Sequence, residues 1–560
     1  MLSKTKGMVA TSMPDAADAG LRVLRSGGNA IDAAVATALA IAVVDPADSG
    51  LGGSGLATIY RRDAEDVTVV DFNAVCPSGI SASTYPLLEG ISKDTGYRRV
   101  EGDANVIGYK AIAVPGMLAG MDLLLSEYGT KKLSDVVRPA ISLARNGFRT
   151  TRFVAEAIDW NLELMKRFPE TAAVFAPNGP PGVGDTIIQR DLTETLKAIS
   201  HDGADALYRG KVGERIVEAM AVNGGLITAG DLDRYEPQIV RPATTTYRGY
   251  EVSTPPIGSG GNALLEALNI LENFDVGSLA YFSPEMVHLL IETLKLVWAD
   301  RLVYDADPDF VRVPLQGLLS KDYARHRSTS IDTRRVMTRA KAGDPWRYDR
   351  TPGRSAKPRP SRPPGRDSHT TQVTVVDEDR NMVSLTQTVW GTFGSFITVP
   401  GTGIIMNNGQ SRFDPDLRAS NRPEVGKRVL SNMCPTIVTK DGRPVLATGT
   451  PGGRRIIATI LGFLVSFIDY ERDTDALNMP RLHCEAGEPV LLESAWADGV
   501  PLGTVRLLEK QGHRLRQVPI SGAPYLGYTH ISGPASAIAV KGKSLTGTAD
   551  TRQPGAIRGY

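Results

Sequence analysis

Apolar residues recur at helical spacing from the start of the chain. After Pro14, Ala19, Leu21 and Leu24 alternate with Arg22 and Arg25, which predicts a helix over 15–25. Ser26-Gly27-Gly28-Asn29 stops it and caps a second helix from Ala30. The run Ile31–Val44 contains Asp32 and is too short to span a bilayer, so it reads as a buried helix. A glycine-rich turn, 49–55, leads into a hairpin of Leu56–Tyr60 and Val67–Phe72. Residues 115–330 are mainly helical, with periodicity over 117–127, 133–146, 262–271 and 284–300 and a strand near Tyr250–Ser253.

The pattern breaks between about Val336 and Ser368. Six prolines fall between Pro345 and Pro364, aliphatic residues are few, and the stretch reads as a mobile linker. Beyond it the period switches to two. Thr371–Val376 is a strand, Asp377–Asn381 a turn and Met382–Val389 a second strand. Ser384, Thr386 and Thr388 share one face of that second strand. Further strands are expected to about Leu446, then a helix over 456–467, which is α and β material in layers.

Composition changes this picture little. The 560 residues are 42% hydrophobic and 22% charged, with net charge +1, so no overall field points to nucleic acid or membrane. Eleven Lys or Arg and two Asp between Arg334 and Arg366 make the linker basic; a solvated linker is the common use and a nucleic-acid tail the rarer one. Cys76, Cys434 and Cys484 form neither a disulfide framework nor a metal spacing. The seven histidines form no HExxH set, and no GxSxG elbow is present. Without an apolar leader, the expected compartment is the cytoplasm; a leader removed earlier would make it the periplasm or the exterior.

Candidate chemistry lies where the linker meets the strand. A cut between His369 and Thr370 would free an α-amine with a pKa near 8, able to take the proton of the same residue's hydroxyl. The alternative is an ordinary strand threonine. Thr450-Pro451-Gly452-Gly453 before a helix start is an oxyanion-binding turn, a plain tight turn, or, with no P-loop motif, a weak phosphate loop.

Several rarer motifs occur in order over the whole length. They include Gly27-Gly28-Asn29-Ala30-Ile31-Asp32, Ser49-Gly50-Leu51-Gly52-Gly53, Asn223-Gly224-Gly225-Leu226, Thr370-Thr371-Gln372-Val373, Leu430-Ser431-Asn432-Met433 and Thr450-Pro451-Gly452-Gly453. With these the chain resembles the gamma-glutamyltranspeptidase family of N-terminal-nucleophile hydrolases. The resemblance implies an αββα sandwich and self-cleavage into a large part, 1–369, and a small part beginning at Thr370. The two would stay together as a pair, or as a dimer of such pairs. It implies Thr370 as nucleophile, Thr388 as its orienting hydroxyl, and Gly452 and Gly453 as the oxyanion hole. A small-molecule amide is the implied partner; no metal or organic cofactor is implied.

The acyl-binding positions depart from the family pattern. Asn73 stands where the family has arginine, Trp390 where it has asparagine, and Gly409 and Arg412 where it has Glu or Gln and then Asp. Gln410 is one step from the first of these, Ser431 is kept, and Asn432 replaces a second serine. An ammonium facing an inward Arg412 at 4 Å would meet a repulsion of about 4 kcal/mol at an effective dielectric of 20. Phe413–Arg428 is short for a lid. The leading expectation is therefore a self-processing acylase that has left γ-glutamyl recognition, glutaryl-like acyl groups being one version. The alternatives are a true γ-glutamyl hydrolase or transpeptidase acting on glutathione-like compounds, and a non-catalytic binding protein.

Overall fold

The computed structural model describes residues 1–350, 369–494, 499–518, 533–552 and 555–560. Two seven-stranded sheets, antiparallel at every neighbouring pair, face one another. One runs Ala556–Gly559, Met8–Thr11, His369–Val376, Met382–Trp390, Ser54–Arg61, Asp66–Phe72, Gln238–Val240. The other runs Leu2–Lys4, Ser544–Ala549, Ser536–Lys541, Arg443–Gly449, Thr436–Lys440, Tyr250–Thr254, Ala243–Tyr247. Helices cover both outer faces, which makes the αββα sandwich expected from the sequence.

The outer helices follow from their residues. Helix Ala30–Val44 is buried over its whole length, and its many alanines let it lie close on the first sheet beside Pro14–Arg25. Asp32 is tolerated because it closes the helix start: its carboxylate accepts from Asn29 N–H, Thr130 N–H and Lys131 N–H at 2.8–3.0 Å. On the opposite side Gly261–Leu271 and Arg455–Ile468 pack on the second sheet, with Pro284–Tyr304 against Gly261–Leu271.

The space between the sheets is apolar at one end and polar at the other. Met8, Tyr60, Val376, Met382, Ile437 and Ile538 form the apolar part. Elsewhere buried hydroxyls cross the gap: Ser384 Oγ donates to Thr448 O at 2.7 Å and Thr58 Oγ1 to Pro435 O at 2.7 Å. Such groups stay inside only when paired, and these pairs fix how the sheets align.

Two expectations change. No strand lies between Trp390 and Thr436; Gly391–Pro435 is an irregular, largely buried segment. Its apolar residues Phe393, Ile397, Val399, Ile404 and Met406 pack into the first core, while Asn407 ties it to Gly52 and Ala113. Asn407 Nδ2 donates to Gly52 O and Ala113 O, and its Oδ1 accepts from Ala113 N–H and Gly409 N–H. Part of the expected linker is also ordered. Residues 336–350 are seated: Ala340 N–H donates to Ala486 O, and Trp346 and Tyr348 pack around Leu318 and Tyr323. The remainder, 351–368, lies outside the described residues.

The ends of the chain meet. Gly7 N–H donates to Tyr560 O and Tyr560 N–H to Gly7 O. No helix among the described residues is long and apolar enough to cross a membrane.

Candidate active site

Thr370 lies in the strand His369–Val376 at the centre of the first sheet, with 2% of its surface exposed. The register with the next strand is irregular here: His369 faces Trp390, but Thr371 faces Gln387. Thr388 and Val389 therefore both oppose Thr370, which is a β-bulge. The bulge brings the two hydroxyls together, and Thr370 Oγ1 donates to Thr388 Oγ1 at 3.2 Å. Thr388 Oγ1 also accepts from Trp390 N–H at 2.7 Å.

Trp390 closes the strand with φ +78°, a conformation costly for a bulky residue. Three contacts hold it there. Its N–H is on Thr388, its carbonyl accepts from Arg412 Nη2 at 3.1 Å, and the Arg412 guanidinium lies 5.6 Å from the ring centroid. Arg412 is buried, and its backbone carbonyl is fixed by Tyr97 OH and Asn421 Nδ2.

Gln372, two residues after Thr370, organises the floor. Its Oε1 accepts from Thr386 Oγ1 at 2.6 Å, and its Nε2 donates to Ser384 Oγ at 3.0 Å and to Val373 O at 3.0 Å. Gly449 ends the facing strand against this side chain: a Cβ there would sit 2.3 Å from Gln372 Oε1. The chain thus leaves the second sheet beside the Thr370 strand and enters Thr450-Pro451-Gly452-Gly453. Gly452 (φ +128°) and Gly453 (φ +59°) both adopt backbone that favours glycine. The helix Arg455–Ile468 begins directly after them.

The other sequence candidates are placed as follows. Asn73 Nδ2 donates to Val429 O at 2.7 Å, so its amide is committed to the scaffold, and Arg428 comes within 3.5 Å of Asp71 beside it. Gly409 is fixed by Asn407, and a Cβ there would meet Ala113 at 2.8 Å. Gln410 is buried with its amide 3.6–3.8 Å from Cys76 Sγ. Burial pushes that thiol up to about 12 despite the Gln410 contact. Ser431 Oγ accepts from Met433 N–H at 2.8 Å, and Arg301 Nη2 holds both Ser431 O and Asn432 Oδ1, at 2.7 and 3.1 Å. Tyr97 and Arg301 carry no motif of their own, and the role of Gln372, although it lies in the Thr370 motif, becomes visible only through these contacts.

Among the described residues one group of side chains converges as metal ligands do: His288, Glu292 and His513. His288 Nδ1 and His513 Nε2 are 2.8 Å apart. Two nitrogens on one tetrahedral zinc, each about 2.0–2.1 Å from it, would be roughly 3.3 Å apart. The observed distance is that of a hydrogen bond. Lys295 Nζ bonds Glu292 Oε1 at 2.8 Å and Glu488 Oε1 at 2.7 Å, and His513 Nδ1 is 2.9 Å from Glu488 Oε1. The group is a paired buried network that ties the helix Pro284–Tyr304 to the C-terminal part.

The model describing the Gamma-glutamyltranspeptidase family matches residues 16–560. The chain is 38% identical over 558 residues to the Acylase ACY 1 proenzyme of Pseudomonas sp. (strain SE83), covering 99% of this chain and 93% of that protein. It is 37% identical over 528 residues to the glutathione hydrolase proenzyme of Bacillus subtilis (strain 168), covering 92% and 86%. In structure it is similar to the cephalosporin acylase from Bacillus halodurans, with TM-score 0.86 and 27% identity over 100% of this chain and 96% of that one.

Proposed function

We propose, for a chain that belongs to the gamma-glutamyltranspeptidase family and is an amide hydrolase or acyltransferase of that family, that Thr370 is its nucleophile and its acyl group lacks an α-ammonium. The observation that carries the first half is the Thr370–Thr388 hydroxyl contact at the bulge. In the uncut chain Thr370 Oγ1 attacks the carbonyl carbon of His369. The C–N bond breaks, an ester forms, and water hydrolyses it to leave a carboxylate and a free threonine amine. That amine then takes the hydroxyl proton as Oγ1 attacks the substrate amide. Gly452 and Gly453 N–H groups receive the oxyanion, the amine leaves with the proton, and water or a second amine releases the acyl group. The names of both curated relatives, proenzymes, agree with such maturation into two parts.

The second half rests on Arg412. It is buried against Trp390, where the resemblance places an ammonium-binding aspartate, so the local charge favours a neutral or anionic acyl group over a cationic one. The 37% identity to a glutathione hydrolase supports the other reading, γ-glutamyl transfer. Intact mass of the wild type beside Thr370→Ala tests the nucleophile: fragments 1–369 and 370–560 are expected from the wild type alone. A chromogenic anilide panel tests the acyl group. If γ-glutamyl anilide is by far the best substrate and glutathione is turned over, the acylase reading is lost and the second one stands.

A further inference from the structure

Three bulky residues at and just beyond the end of the strand Met382–Trp390 hold backbone that favours glycine: Trp390 (φ +78°), Phe393 (φ +54°) and Phe396 (φ +63°). Such residues persist only where their surroundings over-determine them. For Phe393 and Phe396 the restraint is backbone: Phe393 N–H donates to Ala47 O and Phe396 N–H to Phe393 O, both at 2.9 Å. For Trp390 the carbonyl is gripped by a side chain, that of Arg412.

The strain at Trp390 is released most easily upstream. Beyond it the chain is pinned by Gly391 N–H on Asn408 Oδ1 at 2.8 Å and by Phe393 N–H on Ala47 O. Relaxation would turn the Val389–Trp390 peptide, whose carbonyl has only the longer bonds from Gly391 N–H and Asn408 N–H, each 3.2 Å. The N–H of that peptide is the donor on Thr388 Oγ1 at 2.7 Å, and Thr388 Oγ1 is the acceptor for Thr370 Oγ1 at 3.2 Å. Arg412 opposes the turn twice, by Nη2 on the Trp390 carbonyl at 3.1 Å and by its guanidinium over the ring, 5.6 Å from the centroid. It is itself anchored: Tyr97 OH and Asn421 Nδ2 donate to its carbonyl at 3.2 and 2.8 Å, and Asn421 Nδ2 is 3.3 Å from Tyr97 OH. All these side chains are buried.

We infer that Arg412 is a positioning residue for the nucleophile: by clamping the carbonyl and ring of Trp390 it keeps the Trp390 N–H on Thr388 and, through Thr388, sets the direction of the Thr370 hydroxyl. This rests on the reading of Thr370 as the nucleophile. The departures at 390 and 412 are then one unit, since a bulky residue in this conformation needs the clamp.

The first readout is cleavage before Thr370, which involves no substrate, followed by mass after a pulse of cell-free synthesis. Arg412→Met should slow it about ten-fold or more, the size of one strained residue released. Arg412→Lys should recover part, because an ammonium reaches the carbonyl but does not cover the ring. Asparagine tolerates positive φ, so in a Trp390→Asn background the same Arg412→Met should cost less than about two-fold. In the processed enzyme, with the neutral butyryl p-nitroanilide, Arg412→Met should lower kcat and leave KM within about three-fold. If the wild type does not turn this anilide over, the cleavage rates decide alone. The inference is overturned if Arg412→Met is cut as fast as the wild type, if it slows both backgrounds equally, or if it moves KM alone. Should Arg412→Met fail to fold, Tyr97→Phe decides, since it removes only the hydroxyl on the Arg412 carbonyl: cleavage slowed about two-fold or more supports the clamp, and an unchanged rate overturns it. A wild type never cut before Thr370 ends the nucleophile reading and this inference with it. A wild type cut there at a rate indifferent to Arg412 ends this inference alone.

Discussion

Thr370 Oγ1 points at Thr388 Oγ1 across 3.2 Å, and the receiving oxygen is itself held by the N–H of Trp390. Thr388 is thus fixed independently of the proposed nucleophile. Thr388→Val should leave the buried Trp390 N–H unpaired and lower stability by about 1–3 kcal/mol, read by denaturant unfolding. It should also slow cleavage before Thr370, followed by gel or mass over hours. Thr388→Ser should keep most of both, and equal defects in the two variants would remove the hydroxyl from the account.

Gly449 and Gln372 meet so closely that a single methyl group decides the fit. Gly449→Ala should destabilise by about 1–3 kcal/mol through overpacking, and should shift the turn that follows it. Adding Gln372→Ala makes room, so the double variant should be more stable than the two losses summed. A thermal melt of the four proteins measures this coupling; strict additivity would show that the contact does not constrain the turn.

The His288–His513 pair makes acid stability readable. Burial lowers the pKa of His288 below the usual 6.5, so the folded protein binds fewer protons there than the unfolded chain. Stability from this group is present above about pH 6.5 and is lost as pH falls toward the lowered folded value. Melting temperatures from pH 8 to 5 should drop, and His288→Asn should flatten the decline. A slope unchanged in that variant would assign the acid loss elsewhere.

Cys76 supplies a probe of the site's closure. With its pKa pushed up to about 12 by burial, it holds almost no thiolate at neutral pH. Iodoacetamide should leave it unmodified in the native protein and label it on unfolding, as peptide mass mapping would show. Fast native labelling would mean that the Cys76–Gln410 contact opens in solution.

Much of the layered fold was legible because periodicity reports which face is buried. Met382–Val389 was readable to within a residue, and with it the placement of Thr388. Gly391–Pro435 misled because Ile397, Val399, Ile404 and Ile405 mimic strand composition, whereas their backbone bonds locally: Val399 N–H to Ile404 O, Met406 N–H to Ile397 O and Ile404 N–H to Thr402 Oγ1. The segment 336–350 misled in the opposite sense: its charged residues and Pro345 hide Met337, Ala340 and Trp346, whose seating depends on Lys295, Ala486 and Tyr323, Ala486 and Lys295 being distant in sequence. The bulge at Thr370 has no local signature, since it is defined by what the neighbouring strand leaves beside it.

The hydrogen bonds between Gly7 and Tyr560 put the two ends of this chain side by side, while the bond proposed to be cut lies in mid-sequence. The order of the gene and the order of the fold are therefore separable. A circular permutant could begin at Thr370, pass from Tyr560 through a short joint to Gly7, and stop near Tyr348. Removal of the initiator methionine would then expose the threonine amine without any self-cleavage. Such a protein would divorce maturation from turnover: full activity would show that the cut serves only to make an N-terminus, and a folded but inactive permutant would show that the act of cutting also shapes the site.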